Sequence, residues 1–426
     1  MAGRVLDRAE RRFAQLFFFV ALGFGGRMAL VAFNGPVAQL FTQNGYLIGL
    51  LLAISPLVAT FAHPFFGRLS DRTSTRWGRR RPYALVGVPL SALIVFGIPL
   101  APSYEALAAL FLVQALFISI CGVPLMSLIP DAVGTAARGR VMSLFMIGGG
   151  IGAIAIQAAG KLFWEIDFGL VYYACGLLTL VAAVPPLLFI REPRPDPAAV
   201  AAARARSVIS YTAMFRTVAR HPPIALFLIS GSFRYLGVGL VIIYVTLFAA
   251  TDLQVSVGDA ALAIAVAGGI RLLLALPAGR LVDRYDRKRL LVTATLGAGL
   301  GHLMMGVAVE SLAGLYAVLA FGAVVGVLEM TSAGPLFMDL MPADRRGELT
   351  GINMVLQNLL RASGALLGGA LFAWTGTYRM SFPLAALCFA ISALVLLRVP
   401  RRAYTSEVAP ELAASPPGRS PDAGMG

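Results

Sequence analysis

At 426 residues, 58% hydrophobic and only 13% charged, the chain falls far short of the roughly 25% charge of soluble domains, which excludes an ordinary water-soluble fold. Its net charge of +14 would suit nucleic acid, but the basic residues lie in short loops between long apolar runs, the pattern of one face of a membrane. Membrane lipid is therefore the expected environment, and nucleic acid is excluded as a partner.

A helix needs about 20 apolar residues to cross the hydrocarbon core. After a charged N-tail, 1–12, such runs predict helices at 13–38, 46–66, 83–101, 106–129, 141–162 and 168–190. The first run is too long for a signal-peptide core and no small-residue cleavage site closes it, so it reads as an uncleaved helix. A loop, 191–221, follows; its Arg191-Glu192-Pro193 start stops the sixth helix, and its Ala- and Arg-rich remainder suits an interfacial helix on the inner leaflet. Six more helices are predicted at 222–249, 256–278, 290–309, 312–338, 349–374 and 380–398, before a C-tail, 399–426, rich in Pro, Ser and Ala that reads as disordered. The expected fold class is an all-α integral membrane protein with twelve transmembrane helices in two pseudo-symmetric halves, 13–190 and 222–398.

With Met1 inside, 29 of the 35 Lys and Arg fall in the loops and tails of one side, and only Lys161 and Arg379 on the other. The positive-inside rule then places both termini in the cytoplasm of a cytoplasmic (inner) membrane protein. Cys121, Cys175 and Cys388 all lie within apolar runs, so neither a disulfide framework nor a zinc site is implied, and no cofactor is expected.

The two halves repeat. Gly67-Arg68-Leu69-Ser70-Asp71-Arg72 returns 212 positions later as Gly279-Arg280-Leu281-Val282-Asp283-Arg284, and Pro130 and Pro342, which end the fourth and tenth helices, are also 212 apart. Arg27 and Arg234 sit mid-span in the first and seventh helices. A polytopic chain built twice on one plan points to a transporter.

These residues resemble the major facilitator superfamily over about 13–398: six plus six helices, a long central loop, and a Gly-x-x-x-Asp-Arg hairpin after the second and eighth helices. The first hairpin, Ser70-Asp71-Arg72-Thr73-Ser74-Thr75-Arg76-Trp77-Gly78-Arg79-Arg80-Arg81-Pro82, is similar to that of the sucrose/proton symporter-like and glycoside–cation symporter-like branch. The resemblance implies alternating access between the halves, and a conformational gate of Gly67, Asp71, Arg72, Arg138, Gly279, Asp283 and Arg284. There Asp71 would face the N-terminal end of the eleventh helix and pair with Arg138. Physically, Gly67 allows close approach of helix ends, and a carboxylate favours a helix N-terminus. The fifth helix reads Gly148-Gly149-Gly150-Ile151-Gly152 without the Gly-Pro step usual in drug/proton antiporters of the superfamily; these glycines suit tight helix packing.

Ionisable residues inside spans mark pathways or buried pairs. Arg27 shares a helix face with Asn34, seven residues on. The resemblance implies a central cavity lined by helices one, four, seven and ten, so Arg27 and Arg234 are expected to face each other across it. The expected substrate-binding set is Arg27, Asn34, Arg234, Tyr235, Gln357 and Arg361, the last two on a stripe with Asn353 in the eleventh helix. Glu329, the acidic residue near the middle of the tenth helix, is the proton-coupling candidate; as a structural ion pair it would neutralise Arg271 or Arg361. Sugar/proton members typically carry an acid in the membrane helices of the first half, and here those acids all fall in loops or tails, so coupling would rest on Glu329. His63 and His302 read as packed or interfacial.

The expected function is secondary active transport of a small polar solute, a sugar or glycoside, possible coupling to a proton included. The alternative is a facilitator or exporter of a small organic anion bound by cavity arginines. An enzyme is not expected, since three histidines offer no catalytic cluster within the spans, and nothing calls for more than a monomer.

Overall fold

The computed structural model describes residues 7–134, 137–192, 218–342 and 345–400. Twelve long helices run through them: α1 Arg8–Phe41, α2 Gly45–Arg72, α3 Arg81–Leu100, α4 Tyr104–Ala132, α5 Arg138–Phe163, α6 Phe168–Phe189, α7 Pro222–Thr251, α8 Val257–Arg284, α9 Arg287–Val307, α10 Leu312–Leu340, α11 Arg346–Thr375 and the shorter α12 Ser381–Leu397. The first eleven are long and apolar enough to cross a membrane. Small polar residues start many of them: the side chains of Asn44, Ser103, Asp167, Ser256, Asp286 and Ser311 each accept a backbone N–H of the first turn. The interfacial helix expected in the central loop, and the C-tail beyond 400, lie outside the described residues.

Two helices run further than the apolar pattern predicts. Ended at 66 and 278 by hydropathy, α2 and α8 continue to Arg72 and Arg284, so Gly67–Arg72 and Gly279–Arg284 are terminal helical turns and not loops. An apolar window measures the hydrocarbon crossing, whereas helix length is set by where backbone pairing stops.

Alternate ends carry different chemistry. The basic end holds the α2–α3 and α8–α9 connections; the far end holds 42–44, 164–167, 252–256 and 376–380. At the far end the halves meet. A Cβ on Gly49 would lie 3.0 Å from the Ala365 carbonyl, drawing α2 onto α11, and one on Gly258 3.1 Å from the Gly160 carbonyl, drawing α8 onto α5. Gln39 Nε2 donates to Thr251 Oγ1 and Tyr378 Oη, each at 3.2 Å. Lys161 Nζ pairs with Asp259 Oδ1 at 2.7 Å.

A proline supplies another far-end bond. Pro36 lies inside α1 and has no N–H for the carbonyl four residues earlier, that of Ala32. The hydroxyl of Thr246, from α7, donates to that carbonyl. These hydrogen bonds and this ion pair join the halves at the far end. At the basic end, a Cβ on Gly139, Gly279, Gly347 or Gly351 would meet nothing within 4 Å. The halves are closed at the far end and parted at the basic end.

Within the first half, Gly25 and Gly152 let α1 and α5 cross backbone to backbone: a Cβ on either would strike the carbonyl of Gly149 or Leu22. The glycines of the fifth helix serve packing, as their sequence suggests.

Candidate functional site

The C-terminal half gathers charge around Tyr235. α7 and α11 cross where Gly239 and Gly364 meet; a Cβ on Gly239 would strike the Arg361 carbonyl, and one on Gly364 the Leu236 carbonyl. This approach sets Arg361 beside Tyr235. Two guanidinium groups converge on the tyrosine ring, Arg234 Cζ at 5.5 Å and Arg361 Cζ at 5.6 Å from its centroid, within cation–π range. Tyr235 is itself half-buried.

Arg234 is 3% exposed and donates from Nε to Glu329 Oε1 of α10 at 3.1 Å. Its Nη1, and Nε of Arg361, are buried without a hydrogen-bond partner. Arg271 of α8 comes to the same place: a Cβ on Gly326, one turn before Glu329, would lie 3.8 Å from Arg271 Nε. Arg234 and Arg271 thus flank the Glu329 carboxylate, while Arg361 stands over Tyr235. Gln357 and Asn353 continue the α11 stripe from Arg361, half-buried, and their amides make no hydrogen bond among the described residues. This cluster is an aromatic face rimmed by unspent polar groups, with a single carboxylate.

Two expectations need correction. Glu329 pairs with Arg234, not with Arg271 or Arg361. The cause is the turn of α7: Phe227, seven residues before Arg234 and on its face, stacks on Phe337 of α10 with centroids 4.8 Å apart, so that face looks at α10. Arg27 and Asn34 are also not part of the cluster. A Cβ on Gly23 would lie 2.9 Å from Ala183 Cβ of α6, and on this side of α1 Asn34 Oδ1 accepts from Tyr172 Oη of α6 at 3.3 Å. Arg27, 5% exposed, has Cys175 of α6 and Cys121 of α4 as its electrostatic neighbours. Both residues belong to the interior of the first half.

The residues expected to form a gate lie at the parted end. Asp71 Oδ1 pairs with Arg80 Nη2 at 2.5 Å, not with Arg138, whose guanidinium donates to the Pro130 and Val133 carbonyls at the end of α4. With the basic end open, Asp71 keeps a partner of its own half. Arg80 Nε also reaches Asp131 Oδ2 at 3.1 Å, and Arg79 Nη2 reaches Asp131 Oδ1 at 2.5 Å. Glu192 accepts the backbone N–H groups of Arg80 and Arg81, tying the end of α6 to the start of α3. The Asp131 hydrogen bond raises the pKa of Arg79 further. Gly67 sits close to α4, its Cβ position 3.3 Å from Val123. Arg72 is half-buried, and Asp283 and Arg284 are exposed beside the open Gly279.

Other residues singled out by sequence lie elsewhere. Trp164 stacks on Phe33 at the far end, centroids 5.4 Å apart. His302 packs edge-on against Phe389 at 4.9 Å, and His63 neighbours the Gly122 position at 3.8 Å. Sequence reasoning missed Arg80 as the partner of Asp71, the Lys161–Asp259 pair and the Gln39 contacts; an acid in the first turn of α8 opposite a lone outer lysine was the signal for the second.

The sequence profile of the Major Facilitator Superfamily matches residues 16–233 and 227–420. Among curated proteins, the chain is 28% identical over 142 residues to the proton-associated sugar transporter A of Homo sapiens, covering 32% of this chain and 19% of that protein. It is 27% identical over 207 residues to the maltose permease of Geobacillus stearothermophilus, covering 46% of this chain and 48% of the permease. The matches thus span less than half the length of these relatives. Solved structures share the fold: a bacterial homolog of the human lysosomal transporter Spinster, inward-facing and occupied (TM-score 0.73, 14% identity, 95% of this chain and 100% of that one), and the xylose transporter XylE of E. coli, inward open (TM-score 0.70, 15% identity, 92% and 96%). With profile matches across both repeated halves and the same fold, this chain belongs to the Major Facilitator Superfamily.

Proposed function

We propose that the protein is a secondary active transporter that moves a small polar solute, a sugar or glycoside, across the cytoplasmic membrane by alternating access. The observation that carries this reading is the half-open Tyr235 ring beside Arg234, Arg361, Gln357 and the carboxylate of Glu329. An apolar ring face with donors and an acceptor at its edge matches a sugar, which has both C–H faces and hydroxyl rims. The relatives named for sugar and maltose support it. The positive-inside rule makes the basic end cytoplasmic, so the parted state is inward-open, as in the inward-facing structural neighbours. Glu329 is the group through which a proton would couple, by exchanging its hold on Arg234. Gly67, Asp71, Arg72 and Arg138, with Gly279, Asp283 and Arg284, form the cytoplasmic gate that closes when the halves rock.

One observation favours a second reading: a cluster of three arginines with a single carboxylate is positive, which suits a small organic anion. Thermal stabilisation of the purified protein by mono- and disaccharides, set against small carboxylates and phosphate esters, separates the two. Stabilisation by sugars that is lost in Tyr235→Ala supports the sugar reading; stabilisation by anions alone, lost in Arg361→Gln, replaces it with the second.

A further inference from the structure

The first half contains a buried cation that no carboxylate among the described residues neutralises. Arg27 is 5% exposed, and its Nε and Nη1 have no hydrogen-bond partner. A guanidinium stays protonated under any physiological condition, and a buried charge demands a counter-charge. In the second half Arg234 has Glu329. The repeat offset of 212 that relates Pro130 to Pro342 puts Phe117 at the place of Glu329, so the first half lacks the carboxylate. The electrostatic neighbours of Arg27 are two thiols, Cys121 and Cys175, and Cys121 Sγ already donates to the Ile118 carbonyl.

The surroundings are nonetheless polar. Asn34 shares the face of Arg27 on α1, and Tyr172 lies one turn from Cys175 on α6; the two side chains touch through Tyr172 Oη and Asn34 Oδ1 at 3.3 Å. On α4, Gln114 lies seven residues from Cys121 and so on its face, 8% exposed and without a hydrogen bond among the described residues. Accepting through Oδ1, Asn34 keeps its NH2 for another partner. α1 and α4 therefore carry unspent polar groups in a half whose one buried formal charge is positive.

We propose that Arg27, with Asn34 and Gln114, binds a small monovalent anion inside the N-terminal half. The anion supplies there the charge that Glu329 supplies in the other half. Two sources share this chemistry, an inorganic halide and a carboxylate group. The site lies apart from the Tyr235 cluster, so it stands or falls independently of which solute that cluster takes.

The test is thermal unfolding of the purified full-length protein in sodium chloride, sodium acetate or bulky sodium isethionate at equal ionic strength. Wild type is expected to melt several degrees higher in chloride or acetate than in isethionate, and Arg27→Gln to show no such difference while melting in isethionate at least as high as wild type. A response to chloride but not acetate assigns a halide; a stronger response to acetate assigns a carboxylate. Equal melting of wild type in all three salts overturns the proposal, as does an unchanged anion response in Arg27→Gln. A fall in the stability of Arg27→Gln in isethionate also counts against it, since an unpaired charge should be no loss. Should Arg27→Gln not fold, wild-type crystals grown in bromide and in acetate decide: an anomalous peak or acetate density at Arg27 supports the site, and neither at saturating salt overturns it.

Discussion

Arg234 Nε lies 3.1 Å from Glu329 Oε1, and this ion pair joins α7 to α10 beside the tyrosine that receives a second arginine from α11. Removing one member leaves the other charged, buried and unpaired, which costs about 3–5 kcal/mol. Glu329→Ala and Arg234→Ala should each lower the thermal midpoint sharply, while Arg234→Met with Glu329→Met together should recover most of the loss yet remain without transport. Melting curves beside proteoliposome uptake check this; equal stability of single and double variants would mean the pair is not the contact that matters.

Lys161 and Asp259 close the far end from opposite halves at 2.7 Å. Exposed pairs of this kind contribute about 0.2–1 kcal/mol, enough to move a two-state population by up to about fivefold. Lys161→Ala should therefore favour the far-open state modestly, and the charge swap Lys161→Asp with Asp259→Lys should restore the original balance. Spin labels at the exposed Gln43 and Gln254, read as a distance distribution, would show the longer population grow and then shrink.

The Thr246 hydroxyl donates to the carbonyl that Pro36 leaves without a helical partner. Thr246→Val should cost about 1–3 kcal/mol, because a buried acceptor is left unsatisfied. With Pro36→Ala as background the carbonyl regains an N–H within α1, and the same substitution should cost much less. A double-mutant cycle on thermal stability gives the coupling; additive effects would show that the two residues act separately.

Asp71 and Asp283 occupy equivalent turns in the repeat but not equivalent environments. Asp71 is paired with Arg80, which also holds Asp131, whereas Asp283 is exposed. Asp71→Asn should reduce initial uptake severalfold, and Asp283→Asn should leave it within about twofold, as expected of a surface substitution. Equal losses would place the two on the same footing in the gate.

Much of the fold was legible because the bilayer imposes it: apolar runs of fixed length give the spans, and a motif recurring at 212 positions gives the halves. Helix periodicity likewise sets Asn34 on the face of Arg27, and Gln357 on that of Arg361. What periodicity does not give is which neighbour a face meets. Arg27 was expected opposite Arg234 because both lie mid-span at corresponding places, yet α1 turns that face toward α6. The partner of Glu329 was hidden for the same reason, since α7 and α10 meet through an aromatic stack, Phe227 on Phe337, that no local pattern announces. Asp71 was assigned the gate contact of a closed basic end, and the structure shows the other state.

The proline in α1 has a consequence for water. The Ala32 carbonyl has no α-helical donor, because position 36 is proline, and here it accepts from a hydroxyl of the opposite half. When the far end opens, that hydroxyl departs with α7, and a backbone acceptor at membrane depth must find another donor. If water is that donor, the far-open state is wet at least as deep as Ala32, on the far side of the Tyr235 cluster.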